Sequence, residues 1–142
     1  MAHVFSEENQ DALLKYADLE KSDFWKQDAE ALGVYEVQPD GTATIAAVFV
    51  VECIKSHTLD LHFRTAQTKR WATRQVLQKV SEWVFQDSIN RVQGVVGIDN
   101  KDMHKIAARL GFMPEGRMRD GHGRGCDAIL YAITREDCRW LP

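Results

Sequence analysis

The spacing of hydrophobic residues changes several times along the chain, and each change marks an element. Leu13, Tyr16 and Ala17 recur at helical spacing behind Ser6, Glu7 and Glu8, where the serine reads as an N-cap and the acids as a first turn. A second helical stretch is predicted over residues 24–32, with Phe24, Trp25 and Leu32 apolar and Gly33 as its C-cap. From there the period shortens. Val34 and Val37 are β-formers, Pro39-Asp40-Gly41 is turn chemistry, and residues 42–53 are dense in β-branched side chains, so a hairpin is expected. Residues 45–51 are apolar on both faces, which predicts a central strand covered by helices. In a further short strand over residues 59–64, Leu59, Leu61 and Phe63 share one face while Asp60 and His62 share the other.

Val76, Leu77, Val80, Trp83 and Val84 form the clearest helical stripe in the chain. A Val-rich strand over residues 91–98 follows. Asp99-Asn100 then opens a helix striped by Met103, Ile106, Ala107 and Leu110 and closed by Gly111, and Phe112 enters a new strand. Residues 115–119 and 127–134 read as a terminal hairpin joined by Gly121-His122-Gly123-Arg124-Gly125. There is no internal repeat, low-complexity tract or linker. The order implies an α/β fold in which a mixed sheet carries helices on both faces and a strand-helix-strand unit supplies a parallel pair. At 142 residues, a single domain over 1–142 is expected.

Composition narrows the class. With 44% hydrophobic and 27% charged residues the chain is neither disordered nor fibrous. Cys53, Cys126 and Cys138 are an odd set without a CxxC pair, so no disulfide framework or zinc ribbon is expected. The N-terminus lacks the apolar core of a signal peptide and no apolar run would span a bilayer, so a cytoplasmic protein is expected. The net charge of -3 and pI near 5.9 disfavour an ordinary nucleic-acid binder. The charge is uneven, however: residues 1–30 hold eight acids against three Lys/Arg, while residues 61–81 hold five Lys/Arg and no acid. A small phosphorylated ligand suits such a local patch.

The basic run FRTAQTKRWATRQVLQKV leads from a strand end through a loop into the well-striped helix, where free N–H groups and the positive dipole end meet Lys69, Arg70 and Arg74. A solvated helix start that happens to be basic is the plain alternative. Cations are normally unfavourable there, which argues for a bound anion. The three glycines of the terminal loop match neither GxGxxG nor a Walker loop and read as a flexible hairpin tip. His57, Asp60 and His62 lack a standard ligand spacing, so no metal is expected. Trp71, Trp83 and Phe85 read as core or loop anchors, with Trp71 also a candidate to stack on a cofactor.

The segment VVGIDNKDMHKIAARLGF, followed by Pro114-Glu115-Gly116-Arg117-Met118-Arg119 and by Asp127-Ala128-Ile129-Leu130-Tyr131-Ala132-Ile133, resembles the GNAT superfamily of acyl-CoA-dependent N-acyltransferases. It is most similar to the branch that acetylates the N-termini of ribosomal proteins, with an Asn after a strand, a helix closing in Leu-Gly-Phe, then Glu-Gly and Arg, and an Asp before an aromatic-containing last strand. The resemblance covers roughly residues 43–137. It implies a GNAT-like fold with central splayed strands and acetyl-CoA as co-substrate. Its pantetheine arm would pair with backbone at Leu61, His62 and Phe63, and its pyrophosphate would lie at Thr68, Lys69, Arg70, Trp71, Ala72, Thr73 and Arg74. Asn100 would contact the cofactor as well.

Two departures stand out. Gln67 and Ala72 fit the pyrophosphate pattern, but Arg70 stands where the family usually has glycine. Ala107 occupies the position of the tyrosine that many members use as general acid, and Met103 the position of the ribosomal branch's serine. For a base the candidates are His62, with Asp60 beside it in a structural role, and His122 in the glycine-rich loop. The resemblance thus implies transfer of an acetyl group to a primary amine: a protein N-terminus, a lysine or a small polyamine. The acidic N-terminal part favours a cationic acceptor. A fold kept as a binding module without catalysis is the alternative. The short N-terminal part and Arg-Trp loop also resemble compact GNAT-like proteins of bacteriophages, which would imply a phage origin and a host-protein target.

Overall fold

The computed structural model describes residues 2–17, 28–66 and 70–141. In chain order the elements are β1 (His3–Ser6), α1 (Gln10–Ala17), β2 (Glu30–Val37), β3 (Ala43–Lys55), β4 (Thr58–Thr65), α2 (Arg74–Val84), β5 (Arg91–Gly97), α3 (Lys101–Leu110), β6 (Met113–Met118) and β7 (Ala128–Thr134). The seven strands form one sheet in the order β1-β2-β3-β4-β5-β7-β6. Every neighbouring pair is antiparallel except β4 and β5, the parallel pair expected around α2.

Side-chain alternation separates two layers. Phe49 and Val51 of β3, with Leu59, Leu61 and Phe63 of β4 and Val92 of β5, point to the face covered by α2 and α3, where Val76, Val80, Trp83 and Val84 meet them. Val48 and Val50 point the other way, to Leu13 of α1. The burial of β3 on both faces explains its continuous apolar run. Trp71 is a core anchor: its ring lies 5.8 Å from Phe49 and 5.6 Å from Phe63, and only 9% of the residue is exposed. Trp83 is tied down by its indole N–H, which donates to Glu7 Oε1 at 2.7 Å.

The N-terminal part differs from expectation. Ser6 is the last residue of an edge strand and not a helix cap; its hydroxyl accepts from the Glu8 N–H, and α1 begins at Gln10. Phe24 and Trp25 lie outside the described residues. Leu32 and Gly33, expected at a helix end, lie inside β2, paired with Phe49 and Val48. Cross-strand pairing to a fully buried neighbour overrides the local helical spacing here. Gly33 is small because α1 crosses it: a Cβ there would lie 2.9 Å from Leu13 Cδ2 and 2.8 Å from the Tyr35 ring. The later elements follow the sequence expectation, with Thr73 and Asn100 as N-caps and Gly111 as a left-handed C-cap at φ 96°. Among the described residues no helix is long and apolar enough to cross a membrane.

Because a Cβ at Gly33 would press on Leu13, which is 1% exposed, and on the Tyr35 ring, Gly33→Ala should lower stability by roughly 1–3 kcal/mol, the usual cost of overpacking. Urea unfolding measures this as a lower midpoint at unchanged slope. An unchanged midpoint would mean that α1 shifts freely on the sheet.

Candidate active site

β4 and β5 pair over three residues only, Thr58 with Arg91, Leu59 with Val92 and Asp60 with Gln93. Beyond that point β4 keeps its pairing to β3 as far as Thr65, and β5 keeps its pairing to β7 as far as Gly97. The sheet therefore opens between two intact halves. A cavity of about 460 Å³ occupies the opening, lined by Leu61, His62 and Phe63 from one strand and residues 94–97 from the other. Gly94 stands at its mouth, where a Cβ would come within 3.2 Å of the Leu61 carbonyl oxygen.

The two faces of the opening differ in chemistry. On the α1 face, Asp60 and His62 lie opposite Glu52 and Val50 across the β3–β4 pair. His62 Nε2 is 3.0 Å from Glu52 Oε1 and 3.5 Å from Asp60 Oδ2. The Glu52 side chain is 11% exposed, Asp60 25% and His62 42%, so the imidazole is the accessible member of a sheltered acidic pair. Burial disfavours the imidazolium, but the hydrogen bond and charge of Asp60, joined by Glu52, outweigh it and raise the His62 pKa above its ordinary value. His122 reaches the same cavity from the loop between β6 and β7, its ring within 2.9 Å of the position a Gly97 Cβ would take.

That loop is braced. Asp127 accepts from the Asp120 N–H at 3.0 Å and from Arg117 Nε at 2.8 Å, Asp120 accepts from the Gly125 N–H at 3.0 Å, and the His122 N–H donates to the Cys126 carbonyl at 3.0 Å. Left-handed Asp120, Gly123 and Gly125 make the tight turns. The flexible tip expected from the glycines is thus a bonded turn that holds a histidine over the cavity.

On the other face, Met103, Ala107, Leu110, Phe112 and Tyr131 line the cavity, with Asn100 at the start of α3. Asn100 Oδ1 accepts from the Met103 N–H at 3.2 Å, so the asparagine caps the helix through its oxygen and keeps its amide N–H₂ as a further donor group.

The basic segment is only partly in view: Gln67, Thr68 and Lys69 lie outside the described residues. Arg70 is exposed, and its carbonyl accepts from His3 Nε2 at 2.7 Å, which ties the loop to the first strand. Thr73 caps α2 by accepting from the Val76 N–H at 3.2 Å, and Ala72 is exposed beside it. The Trp71 ring is committed to the core, which leaves only its backbone for a ligand. Arg74 lines a second hollow of about 310 Å³ with Gln78, Arg139, Trp140 and Leu141. Leu61, His62, Phe63, Asn100 and His122 are thus brought together at the opening, and Arg70 to Arg74 stand at the start of α2.

Glu52 and Tyr131 also line the opening, and the sequence reading does not single them out. Glu52 carries a signal: it is the one acid in the long apolar strand. Glu52, Asp60 and His62 bring one ligand atom each within 4.8 Å of one another, close enough in geometry for a cation. His57, placed with Asp60 and His62 on paper, is elsewhere, bonded through Nδ1 to the Ser88 carbonyl at 3.0 Å.

No protein-family model matches the chain. Among curated proteins it is similar to "Putative ribosomal N-acetyltransferase YdaF" of Bacillus subtilis (strain 168), with 25% identity over 97 residues; the match takes in 59% of this chain and 53% of that protein. Among solved structures it is similar to mutant forms of the spermidine/spermine N-acetyltransferase SpeG from Vibrio cholerae, at a TM-score of 0.74 and 13% identity over 95% of this chain and 96% of that one. It is likewise similar to the IAA acetyltransferase from Bacillus cereus ATCC 14579, at a TM-score of 0.72 and 14% identity over 94% and 99% of the two chains. The fold is that of the GNAT acetyltransferases.

His62 should titrate above the ordinary histidine value of about 6.5, and Asp60→Asn should move it downward by removing the carboxylate that holds its proton. The sign extends to stability: a pKa raised by folding stabilises fully below the unfolded-state value, and the gain is lost as pH rises through the folded-state value. NMR titration of His62 measures the shift, and equal pKa values in the two proteins would separate His62 from Asp60.

Proposed function

We propose that the protein transfers an acetyl group from acetyl-CoA to a primary amine. The observation that carries this reading is the opening between β4 and β5, with unpaired backbone along both edges and an imidazole held by carboxylates at its side. Acetyl-CoA fits what the residues offer. Its pantetheine amides would find N–H and C=O groups along residues 61–63, Gly94 leaves the mouth clear, and Arg70 and Arg74 stand ready at the start of α2 for its phosphates. The thioester supplies an activated acyl group.

The chain's residues then divide the work. His62, with its pKa raised by Asp60 and Glu52, takes the proton from the incoming ammonium group near neutral pH. His122 lies at the same opening and is the second candidate for that role. A backbone N–H of residues 61–63 stabilises the negative charge that develops on the carbonyl oxygen. The acceptor enters on the α1 face, where Asp60 Oδ1 is buried without a hydrogen-bond partner among the described residues, and the acidic character there favours a cationic amine. Spermidine and spermine, named for one of the similar proteins, meet that requirement, as would a protein N-terminus.

Calorimetry with acetyl-CoA tests the reading. Wild type should bind it, and Arg70→Glu should bind it about tenfold or more weakly at low salt, because charge-assisted hydrogen bonds contribute about 1.5–3 kcal/mol. Asn100→Asp should melt near wild type, since aspartate caps equally well, yet bind acetyl-CoA less tightly because the carboxylate cannot donate. Wild-type protein that does not bind acetyl-CoA would leave the binding-module reading in its place.

His62→Ala and His122→Ala separate the base candidates. The base variant should lose turnover with acetyl-CoA affinity nearly intact, and Asp60→Asn should move the acidic limb of the kcat/KM profile to lower pH. Wild-type rates in both histidine variants across the neutral range would exclude both residues as base.

A further inference from the structure

We infer that Tyr131 is the general acid of this site and that His104 is its positioning residue. The inference rests on the acetyl-transfer reading and adds the group that protonates the departing thiolate. It comes from the register of the sheet. Tyr131 of β7 pairs with Gly94, the first β5 residue past the last β4–β5 pair, so it is level with the point at which the sheet opens. His62 is one residue past the first unpaired position of β4, on the α1 face. Tyr131 is on the α3 face, packed with Val96 and Ala107, and it lines the same cavity. An imidazole and a phenol thus flank the opening from opposite sides of the sheet.

The hydroxyl is held in a defined way. Tyr131 Oη lies 2.7 Å from His104 Nδ1, while His104 Nε2 faces the carbonyl oxygens of Gly97 at 3.0 Å and Ile98 at 3.2 Å. Carbonyls only accept, so Nε2 carries a hydrogen and Nδ1 accepts from the tyrosine. Gly97 ends β5 and Ile98 follows it, so this clamp fixes the phenol to the end of the strand that borders the cavity. Ala107, where the sequence resemblance would put the acid, is small and 7% exposed, and the Tyr131 ring packs against it. The aromatic hydroxyl comes from the strand beneath the helix instead of from the helix itself.

The proton balance closes. The base first passes the ammonium proton to solvent; the amine nitrogen then bonds to the carbonyl carbon and its surplus proton passes to the base. The carbon–sulfur bond breaks with its electron pair on sulfur, and the Tyr131 hydroxyl hydrogen swings from His104 Nδ1 to sulfur. Solvent returns a proton to the phenolate, whose hydroxyl then donates to His104 Nδ1 again, and the base releases its own to solvent. Amine and acetyl thioester have become amide and thiol.

The test compares wild type, Tyr131→Phe, His104→Ala and His104→Asn, with acetyl-CoA as donor and spermidine or a peptide with a free N-terminal alanine as acceptor, following thiol release. Tyr131→Phe should lower kcat about 100-fold, within the range for general acid catalysis. Its calorimetric affinity for acetyl-CoA should stay within about twofold of wild type, since only the transition state uses the proton. His104→Ala should lose part of kcat, and His104→Asn, whose side-chain oxygen can accept the same hydrogen bond, should recover it. In nitrogen NMR of the ligand-free protein His104 should be protonated at Nε2, with its Nδ1 signal moved by Tyr131→Phe. Wild-type kcat in Tyr131→Phe, a loss confined to acetyl-CoA affinity, or the opposite His104 tautomer would each overturn the assignment of Tyr131 while leaving the acetyl-transfer reading intact. Wild type that binds no acetyl-CoA and releases no thiol would overturn both.

Discussion

Everything at the candidate site depends on two strands that stop pairing. A buried backbone N–H or C=O without a partner is costly, and a sheet normally avoids it by pairing neighbours along their length. Here β4 stays paired to β3 and β5 to β7 over their full lengths, and only the seam between them opens after Asp60 and Gln93. The sheet consists of two paired halves joined at one end. Because each half is internally satisfied, the seam can part without either strand unravelling, and the groups along it are free to recognise a ligand that has its own amides.

The opening also makes the two faces of one sheet meet. Alternation along β4 sends Leu61 and Phe63 into the core beneath α2 and sends Asp60 and His62 to the α1 face, so a single extended segment supplies both the apolar wall and the ionisable group. The Glu52–His62–Asp60 cluster is a poor device for stability, since sheltering charges costs desolvation that their attraction only partly offsets. Its position beside an opening, with the histidine the most exposed of the three, suits proton transfer better than packing.

Much of this was legible in the sequence because the informative residues act locally. Asn100 and Gly111 bound α3 by capping chemistry that needs no tertiary contact, and the stripe of α2 and the unbroken apolar run of β3 follow from periodicity alone. What escaped depends on distant pairing. β1 is four residues long, too short for a period, and exists because β2 offers it an edge. Gly33 reads as a cap until Leu13 is seen to lie over it. Tyr131 looks like one more aromatic in a terminal strand, since its meaning depends on register with Gly94 and on a histidine 27 residues earlier.

The terminal loop shows how such distant pairings cooperate. Asp127, at the start of the last strand, has its pKa lowered first by the Asp120 N–H and then by Arg117, so the brace is complete above the unfolded-state pKa of the carboxyl and loosens as pH falls through the folded-state value. The brace fixes the turn that carries His122, and His122 in turn rests on Gly97, where a Cβ would collide with its ring. The Gly97 carbonyl also anchors His104, and through it Tyr131. One glycine at the end of β5 therefore accepts an imidazole against its α-carbon on one face and hydrogen-bonds another through its carbonyl. The chemistry on the two sides of the seam shares a single backbone position, which links the braced loop on one face to the phenol on the other without any direct contact between them.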